Sequence, residues 1–359
     1  MKMNRLITVF SLGVLALSFT ACKNADKSFP DYDGGTSAYF AYQYPIRTLV
    51  LGNIETYDNT SDNEGRFTIY ATCGGSYSGL NAKIEVKIDE SLTDGLYFED
   101  GTKVKPMPKD YYTVSGEELD YAGGYRGGIE IQLNDKFFAD SLSITNNYVI
   151  PVVMGDKFSG VDQIVRGTPV FEGSTPSRHE IDKWKVTPGD FTLFCVNYIN
   201  EYTATYLRRG VDTFDKTQFE GTIPTGYAKV TENRRNEFIE RDEVVSTKTV
   251  ARNKILLPIA TTEVAGKNSP CQLILTFDDN GNCTIESNTA GCTAKGTGRY
   301  SKGTAIKAWG NKDRDELILD YTLDFAKDNV HYATKDTLVW RDRGTVAGVR
   351  SFKPVYKEE

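Results

Sequence analysis

Ile84-Glu85-Val86-Lys87-Ile88 alternates apolar and charged residues without a break, and Ile129-Glu130-Ile131-Gln132-Leu133 repeats the pattern. Successive side chains of a β-strand point to opposite faces, so each run reads as a half-buried strand. Its aliphatic residues face a core, while Glu, Lys and Gln face water. Upstream, Phe67-Thr68-Ile69-Tyr70, Ile46-Arg47-Thr48-Leu49-Val50-Leu51 and Tyr39-Phe40-Ala41-Tyr42 carry the same period, separated by Asn, Asp and Gly clusters. Short alternating strands with turn signals between them predict a β-sandwich over residues 36–171. Tyr148-Val149-Ile150-Pro151-Val152-Val153 reads as its last strand, placed at an edge because Pro151 has no N–H to give a ladder.

Residues 172–184 hold Gly, Pro and charges with no apolar period, and read as a linker. Beyond them Phe191-Thr192-Leu193-Phe194, Ile255-Leu256-Leu257-Pro258-Ile259, Leu273-Ile274-Leu275-Thr276-Phe277, Leu317 to Leu323 and Thr337-Leu338-Val339-Trp340 are again strands. Asp279-Asn280-Gly281 marks a tight hairpin, since Asn-Gly suits positive φ. A meander closing into a small antiparallel barrel over residues 185–355 removes exposed edges and fits this string. The chain is therefore expected to be all-β, a sandwich followed by a barrel. A helix is expected only over residues 233–244 (NRRNEFIERDEV).

The first residues have the form of an export signal. Lys2 and Arg5 open it, residues 6–20 are mainly apolar, and Phe19-Thr20-Ala21-Cys22 ends it. That apolar run is shorter than the roughly 20 residues a membrane span takes. A small residue before a cysteine at this distance is a lipobox, which makes Cys22 the lipidated mature N-terminus, with residues 1–21 removed and residues 22–35 as a polar, Gly-rich tether. The bilayer is then a partner through that lipid. Cleavage removes two basic side chains and no acidic ones, so the formal net charge moves from −7 to −9 (40 basic against 49 acidic). Lys and Arg are scattered, which removes the basic footprint of a nucleic-acid binder.

Cys73, Cys195, Cys271, Cys283 and Cys292 remain in the body. Export permits disulfides, but five thiols leave at least one unpaired. A four-residue loop Glu286-Ser287-Asn288-Thr289 would set Cys283 directly opposite Cys292, so the hairpin register suggests that pair as a disulfide, formed with some local closing of the strands, or else as two free buried thiols. There is no Cys-x-x-Cys pair, and His179 and His331 are the only histidines, so no Cys/His zinc site and no cofactor is expected.

Catalytic patterns are missing as well. There is no G-x-S-x-G elbow, Walker loop or H-E-x-x-H, and both histidines are expected to be solvated loop residues. Asp320 and Asp324 share a strand face but sit roughly 13 Å apart along it, beyond glycosidase spacing. Asp278-x-Asn280-x-Asn282 starts like a calcium loop but has Cys283 where Gly is needed and Thr289 where Glu is needed. The 42 aromatic residues remain. Most must be core, but Tyr121, Tyr125, Tyr202, Tyr206 and Trp309 cluster where turns are expected. Exposed rings beside Asn, Asp and Arg suit a sugar, whose C–H faces stack while its hydroxyls take hydrogen bonds.

Phe29-Pro30-Asp31-Tyr32-Asp33, the run from Ala38 to Leu49, Asp62-Asn63, Ala71-Thr72-Cys73-Gly74-Gly75 and Asp110-Tyr111-Tyr112 carry a resemblance. Over roughly residues 29–170 the chain resembles lipoproteins of gut Bacteroidetes with an N-terminal domain-of-unknown-function family 1735 module. Val196-Asn197-Tyr198-Ile199-Asn200, the run from Tyr206 to Asp212, and Lys312-Asp313-Arg314-Asp315 look like the lipocalin-like domain that often follows that module. The resemblance implies glycan-capture systems at the outer membrane, with a transporter complex as a further partner. Some relatives carry an endo-β-N-acetylglucosaminidase barrel, whose D-x-x-D-x-D-x-E motif is absent here, so no catalytic residue carries over. With one acid in Lys23-Asn24-Ala25-Asp26, the membrane face displaying the protein stays open.

The expected function is accessory glycan binding. The alternatives are a glycoside-active enzyme with an unrecognised carboxylate site and a structural partner of an outer-membrane complex. The lipid anchor makes its own prediction. Replacing Cys22 with Ala is expected to abolish labelling by a palmitate analogue and release the protein from membranes, and labelling that persists refutes the lipobox reading.

Overall fold

The computed structural model describes residues 29–41, 46–52, 60–214, 231–261, 270–326, 330–343, 350–352 and 354–357. The expected signal segment, Cys22 and the expected tether as far as residue 28 lie outside the described residues. The protein is all-β, built on two large curled sheets.

The first sheet is made of β1 (Ser37–Tyr39), β2 (Ile46–Leu51), β3 (Arg66–Gly74), β4 (Lys83–Ile88), β5 (Glu118–Asp120), β6 (Arg126–Leu133), β7 (Tyr148–Ser159) and β8 (Phe191–Tyr198). Their order in space is β1-β3-β6-β5-β4-β7-β8-β2. Phe67 on β3 stacks on Phe194 on β8 at 5.4 Å, so strands far apart in the sheet meet face to face around one core. β8 has no solvent face at all: all eight residues are buried. Phe194, Val196 and Tyr198 enter the main core. Phe191, Leu193 and Cys195 enter a second one, roofed by Leu92, Leu96, Phe98 and Val104. A strand buried on both faces reads as an unbroken apolar run, as FTLFCVNY nearly does.

Two expectations change here. β7 is central, with β4 on one side and β8 on the other. Pro151 is tolerated because its carbonyl accepts from the Asp89 N–H, so its nitrogen faces the same side. There the parallel partner Lys105–Pro106 has ended, and the β4 ladder starts only at Val152. Residues 172–184 are likewise no free linker. Arg178 clamps the buried Asp190 with two hydrogen bonds of 3.1 and 2.8 Å, Trp184 Nε1 donates to the Ser177 carbonyl, and Trp184–Val186 pairs with Thr168–Pro169. The chain leaves the first sheet only after Tyr198, so Phe191 to Phe194 belong to that sheet and not to the barrel.

The second sheet comprises β9 (Thr205–Phe214), β10 (Glu243–Ser246), β11 (Lys248–Ala251), β12 (Lys254–Ala260), β13 (Pro270–Phe277), β14 (Asn282–Ser287), β15 (Thr293–Trp309), β16 (Lys312–Phe325) and β17 (Val330–Asp342). It is antiparallel, in the order β9-β17-β16-β15-β14-β13-β12-β11, with β10 on the free side of β9. Thr247 alone separates β10 from β11, so the two ends of the sheet are joined through one residue and it closes as a barrel. The Thr247 N–H and Oγ1 both bond to Ala204. Beyond β17 the chain returns: β18 (Arg350–Phe352) pairs with β2, and Val355–Tyr356 pairs with Leu96–Tyr97.

The helix expected at 233–244 does not form. Thr231–Arg234 pairs with β9, Ile239–Arg241 is one 3₁₀ turn, and β10 follows. Open backbone on β9, together with buried partners for Arg234 and Asp242, outweighs a weak helical pattern. The hairpin register also differs. Cys283 opposes Gly298 and Ile285 opposes Gly296, which rules out the Cys283–Cys292 pairing. The turn after β14 bends toward β13, where Asn288 N–H bonds the Gln272 carbonyl and Gln272 N–H bonds Thr289 Oγ1. That carries Cys292 to Cys271.

Neither histidine is a solvated loop residue. His331 lies on β17, 3.1 Å from Asp324. His179 is buried edge-on to Phe191, and its Nε2–H donates to the Leu92 carbonyl at 2.7 Å. Burial chiefly pushes its pKa below the usual value, and the Arg178 charge adds to this against the favourable Leu92 bond. The folded protein therefore resists a proton that the unfolded chain takes up near pH 6.5. The stability this confers is present above that pH and lost as pH falls toward the folded value. In urea titrations at pH 7.5 and 6.0, His179→Gln is expected to lose less stability than the parent. Equal losses would exclude His179 as the titrating group.

Candidate functional site

The five aromatic residues singled out in the sequence do not form one site. Tyr121 is core, its hydroxyl donating to the Thr72 carbonyl at 2.8 Å. Tyr202 stacks flat on Phe277 with centroids 3.8 Å apart, and burial pushes its pKa up to about 12. Tyr206 is fully buried and donates to the Tyr202 carbonyl. Trp309 is half-buried at a barrel hairpin, its Nε1 donating to the Trp340 carbonyl and the Arg314 guanidinium 4.5 Å above its ring. Tyr125 alone is largely exposed, at 54%.

Around Tyr125 the structure assembles rings the sequence reading did not single out. Alternation along β3 turns Phe67, Ile69 and Ala71 inward and Tyr70 outward. Tyr70 lies opposite Gly128 of β6, where a Cβ would come within 2.8 Å of the ring, so the tyrosine rests across bare backbone. The Arg126 guanidinium sits 4.8 Å over the same ring. Tyr125 donates its hydroxyl to the Tyr77 carbonyl, Tyr77 N–H bonds Asp31 Oδ1 at 2.6 Å, and Phe29 lies 5.7 Å from the Tyr77 ring. Tyr32 N–H bonds the Gly75 carbonyl.

Phe29, Tyr32, Tyr70, Tyr77 and Tyr125 are 48–71% exposed: Phe29, Tyr77 and Tyr125 meet at a rim of the first sheet, Tyr32 is tied by its backbone to the same loop, and Tyr70 faces out from β3 under Arg126. Two of the rim's loops are tied to each other. Leu80 N–H bonds the Gly124 carbonyl and Gly123 N–H bonds the Leu80 carbonyl, both at 2.9 Å. Gly79 has φ +81°, and a Cβ on it would strike the Gly123 carbonyl at 2.3 Å. Only glycine brings these two turns so close. Asp31, Asp120, Ser76, Ser78 and Arg126 rim the rings with acceptors and donors. The surface can therefore stack a flat, partly apolar ligand and hydrogen-bond its edges.

Two other places invite attention. A cleft of about 370 Å³ opens between the two sheets, lined by Tyr198, Asn200, Glu201, Arg252, Lys302 and Arg343. Its cations are already engaged: Lys302 with Glu201 at 2.7 Å, Arg252 with Asp135 at 2.8 Å, and Arg343 with the carbonyls of Asn200, Glu201 and Thr203. It reads as an adhesive joint between the sheets.

The second place is a buried ionic cluster in the barrel. Asp336 accepts from Arg208 Nε (2.9 Å), Arg234 (2.6 Å) and the Tyr321 hydroxyl (2.6 Å), while Asp212 accepts twice from Arg234 and once from Thr334. A glycosidase acid must exchange its proton with a substrate, whereas both carboxylates are buried and already taken up by arginine, tyrosine and threonine donors. Burial opposes the charge on Arg208, but Asp336, Tyr321 and Glu243 outweigh it and raise its pKa. Asp320 and Asp324, the two carboxylates on one face of β16, pair with Lys335 and His331. Among the described residues no three His, Cys, Asp or Glu side chains come close enough to hold a metal.

Comparison with known proteins sets this geometry in a family. A Bacteroides ovatus protein of unknown function, known from its crystal structure, is 37% identical, with 91% of this chain and 100% of that one covered and a TM-score of 0.81. The chain belongs to that protein's family. Within it, residues 201–344 match the model for a domain of unknown function (DUF5627), and residues 32–158 match a model for an N-terminal domain. The first match coincides with the barrel and the second ends within β7. A multidomain Bacteroides ovatus protein including DUF1735 is 12% identical with a TM-score of 0.36, covering 84% of this chain and 94% of that one. Likeness at that level carries no argument about this chain. No curated protein matches it.

The buried cluster predicts a contrast across the family's barrel. Asp336→Ala leaves two buried arginines under-compensated and is expected to cost about 3–5 kcal/mol in urea unfolding. Asp320→Ala, whose partner Lys335 is exposed, is expected to cost less than about 1 kcal/mol. Equal effects would show that the cluster is not under-compensated by the loss of Asp336.

Proposed function

We propose that this protein is a lipid-anchored accessory protein of the outer membrane that binds glycans, and that the rim of Tyr70, Tyr77, Tyr125, Tyr32 and Phe29 is where it does so. One observation carries the reading: five large rings turned to solvent, of which Tyr77 and Tyr125 stand on two turns locked together by glycine. A soluble surface has no reason to fix so much aromatic area toward water unless something covers it. Sugars suit it because their C–H faces stack on rings while hydroxyls meet groups such as Asp31, Ser76 and Arg126. The expected lipobox and the resemblance to family 1735 lipoproteins with a lipocalin-like second domain support the same setting, a polysaccharide-capture system.

A second reading rests on chain distance. Phe29 follows Cys22 by seven residues, which reach at most about 25 Å, so a lipid on Cys22 would hold the rim close to the membrane. The same surface would then dock an outer-membrane transporter partner.

Screening the mature protein on plant and host glycans separates the two. Binding is expected, weakened at least tenfold, about 1.4 kcal/mol, by Tyr77→Ala or Tyr125→Ala, with unfolding curves unchanged for Tyr77→Ala. No binding at high micromolar concentration rejects the glycan reading and leaves the docking one. Binding untouched by either substitution rejects the rim.

A further inference from the structure

Of the five thiols in the body, two meet. Cys271, at the start of β13, and Cys292, at the end of the turn between β14 and β15, have their sulfurs 3.3 Å apart, and both side chains are buried. The approach is built by backbone. The β14–β15 turn is bound to Gln272, the residue after Cys271, through Gln272 N–H to Thr289 Oγ1 (2.8 Å) and Asn288 N–H to the Gln272 carbonyl (2.7 Å). Cys292 N–H closes the turn on the Thr289 carbonyl, and Gly291 takes φ +82° to allow it. The two sulfurs are thus held on two braced segments, and a disulfide, at about 2.0 Å, needs them to move only about 1.3 Å closer.

We propose that Cys271 and Cys292 are a cross-linking site, joined as a disulfide when the protein is exported to an oxidising compartment. The reaction is thiol–disulfide exchange with a disulfide-bearing oxidoreductase or a small oxidised thiol. The Cys271 thiolate attacks a sulfur of that disulfide, and the departing thiolate takes a proton. Cys292 then loses its proton, attacks the Cys271 sulfur of the mixed disulfide, and releases the second thiol. Two protein S–H bonds are exchanged for one S–S bond, and the oxidant's S–S bond becomes two S–H bonds.

The chemistry of the five thiols supports the choice. A hydrogen bond from Cys292 pushes the Cys271 thiol below its ordinary value, favouring the nucleophilic form. Burial pushes Cys195 and Cys283 up to about 12 and raises Cys73, so those three are poor nucleophiles. The bridge would tie the start of β13 to the turn ahead of β15, fastening three consecutive barrel strands at one end.

The full chain, exported in a bacterial host and extracted from membranes, is denatured with an alkylating agent and no reductant, and its peptides are mapped by mass. The expected map shows a Cys271–Cys292 peptide pair two hydrogens lighter than the free thiols, with Cys73, Cys195 and Cys283 alkylated. Alkylation of both Cys271 and Cys292, or linkage of either to Cys283, overturns the proposal. The thermal midpoint provides a second readout. Reductant is expected to lower it by several degrees in the parent and to leave it unchanged in Cys271→Ser/Cys292→Ser. An equal fall in both proteins also overturns it.

Discussion

The structure hangs on a strand with no wet side. β8 is buried along its whole length, parallel to β2 and antiparallel to β7, and its alternate residues supply two different cores. Every neighbour is fixed by that demand. β2 and β7 must flank it, the segment carrying Leu92 and Phe98 must roof one face, and the curl that brings Phe67 onto Phe194 must cover the other. Even the route out is determined. Asn200, two residues past the end, donates to the carbonyls of Ala251 and Lys254 and receives Thr203. The two sheets are therefore mounted on each other at a hydrogen-bonded corner.

Inside the barrel the same alternation is put to another use. Tyr206, Arg208 and Asp212 share the inward face of β9, and Thr334, Asp336 and Leu338 share that of β17. The lining passes from aromatic to ionic within two residues. A buried ion cluster is poor evidence of net stability, but its geometry is demanding. Arg234 reaches both Asp212 and Asp336, so the short strand that carries it has only one register that satisfies all three. The cluster fixes how the barrel is laced as it closes.

Period-two patterning made most of the strands readable, because it reports which face of a residue run is apolar. It could not report what lies beyond a strand. Pro151 implied an edge, and only the handover between two neighbouring strands explains its central place. The segment at 172–184 looks like a linker because its partners, Asp190 and the Leu92 carbonyl, are distant or backbone. At the rim, the parity that turns Tyr70 outward was already visible in Phe67-Thr68-Ile69-Tyr70. Parity also pairs Tyr121 with the inward Leu119. Tyr202 precedes β9, in a turn where no period exists, and is buried by stacking on Phe277. Phe29, Tyr32 and Tyr77 sit in irregular loops, where no period exists to read.

The return of the chain to its starting sheet has a bearing on how it folds. Ile46 pairs with Phe352, residues separated by nearly the whole sequence, with the barrel threaded between them. Contacts of such long separation form slowly, because loop closure is paid for in entropy before the contact rewards it. In the barrel, β11 to β17 pair with their sequence neighbours and can form first on local contacts, while β9 meets β17 only across most of the domain. The other half must hold β2 with a bare flank until the last residues arrive. For a chain that emerges gradually, that interval is when an unpaired strand is most open to the wrong neighbour.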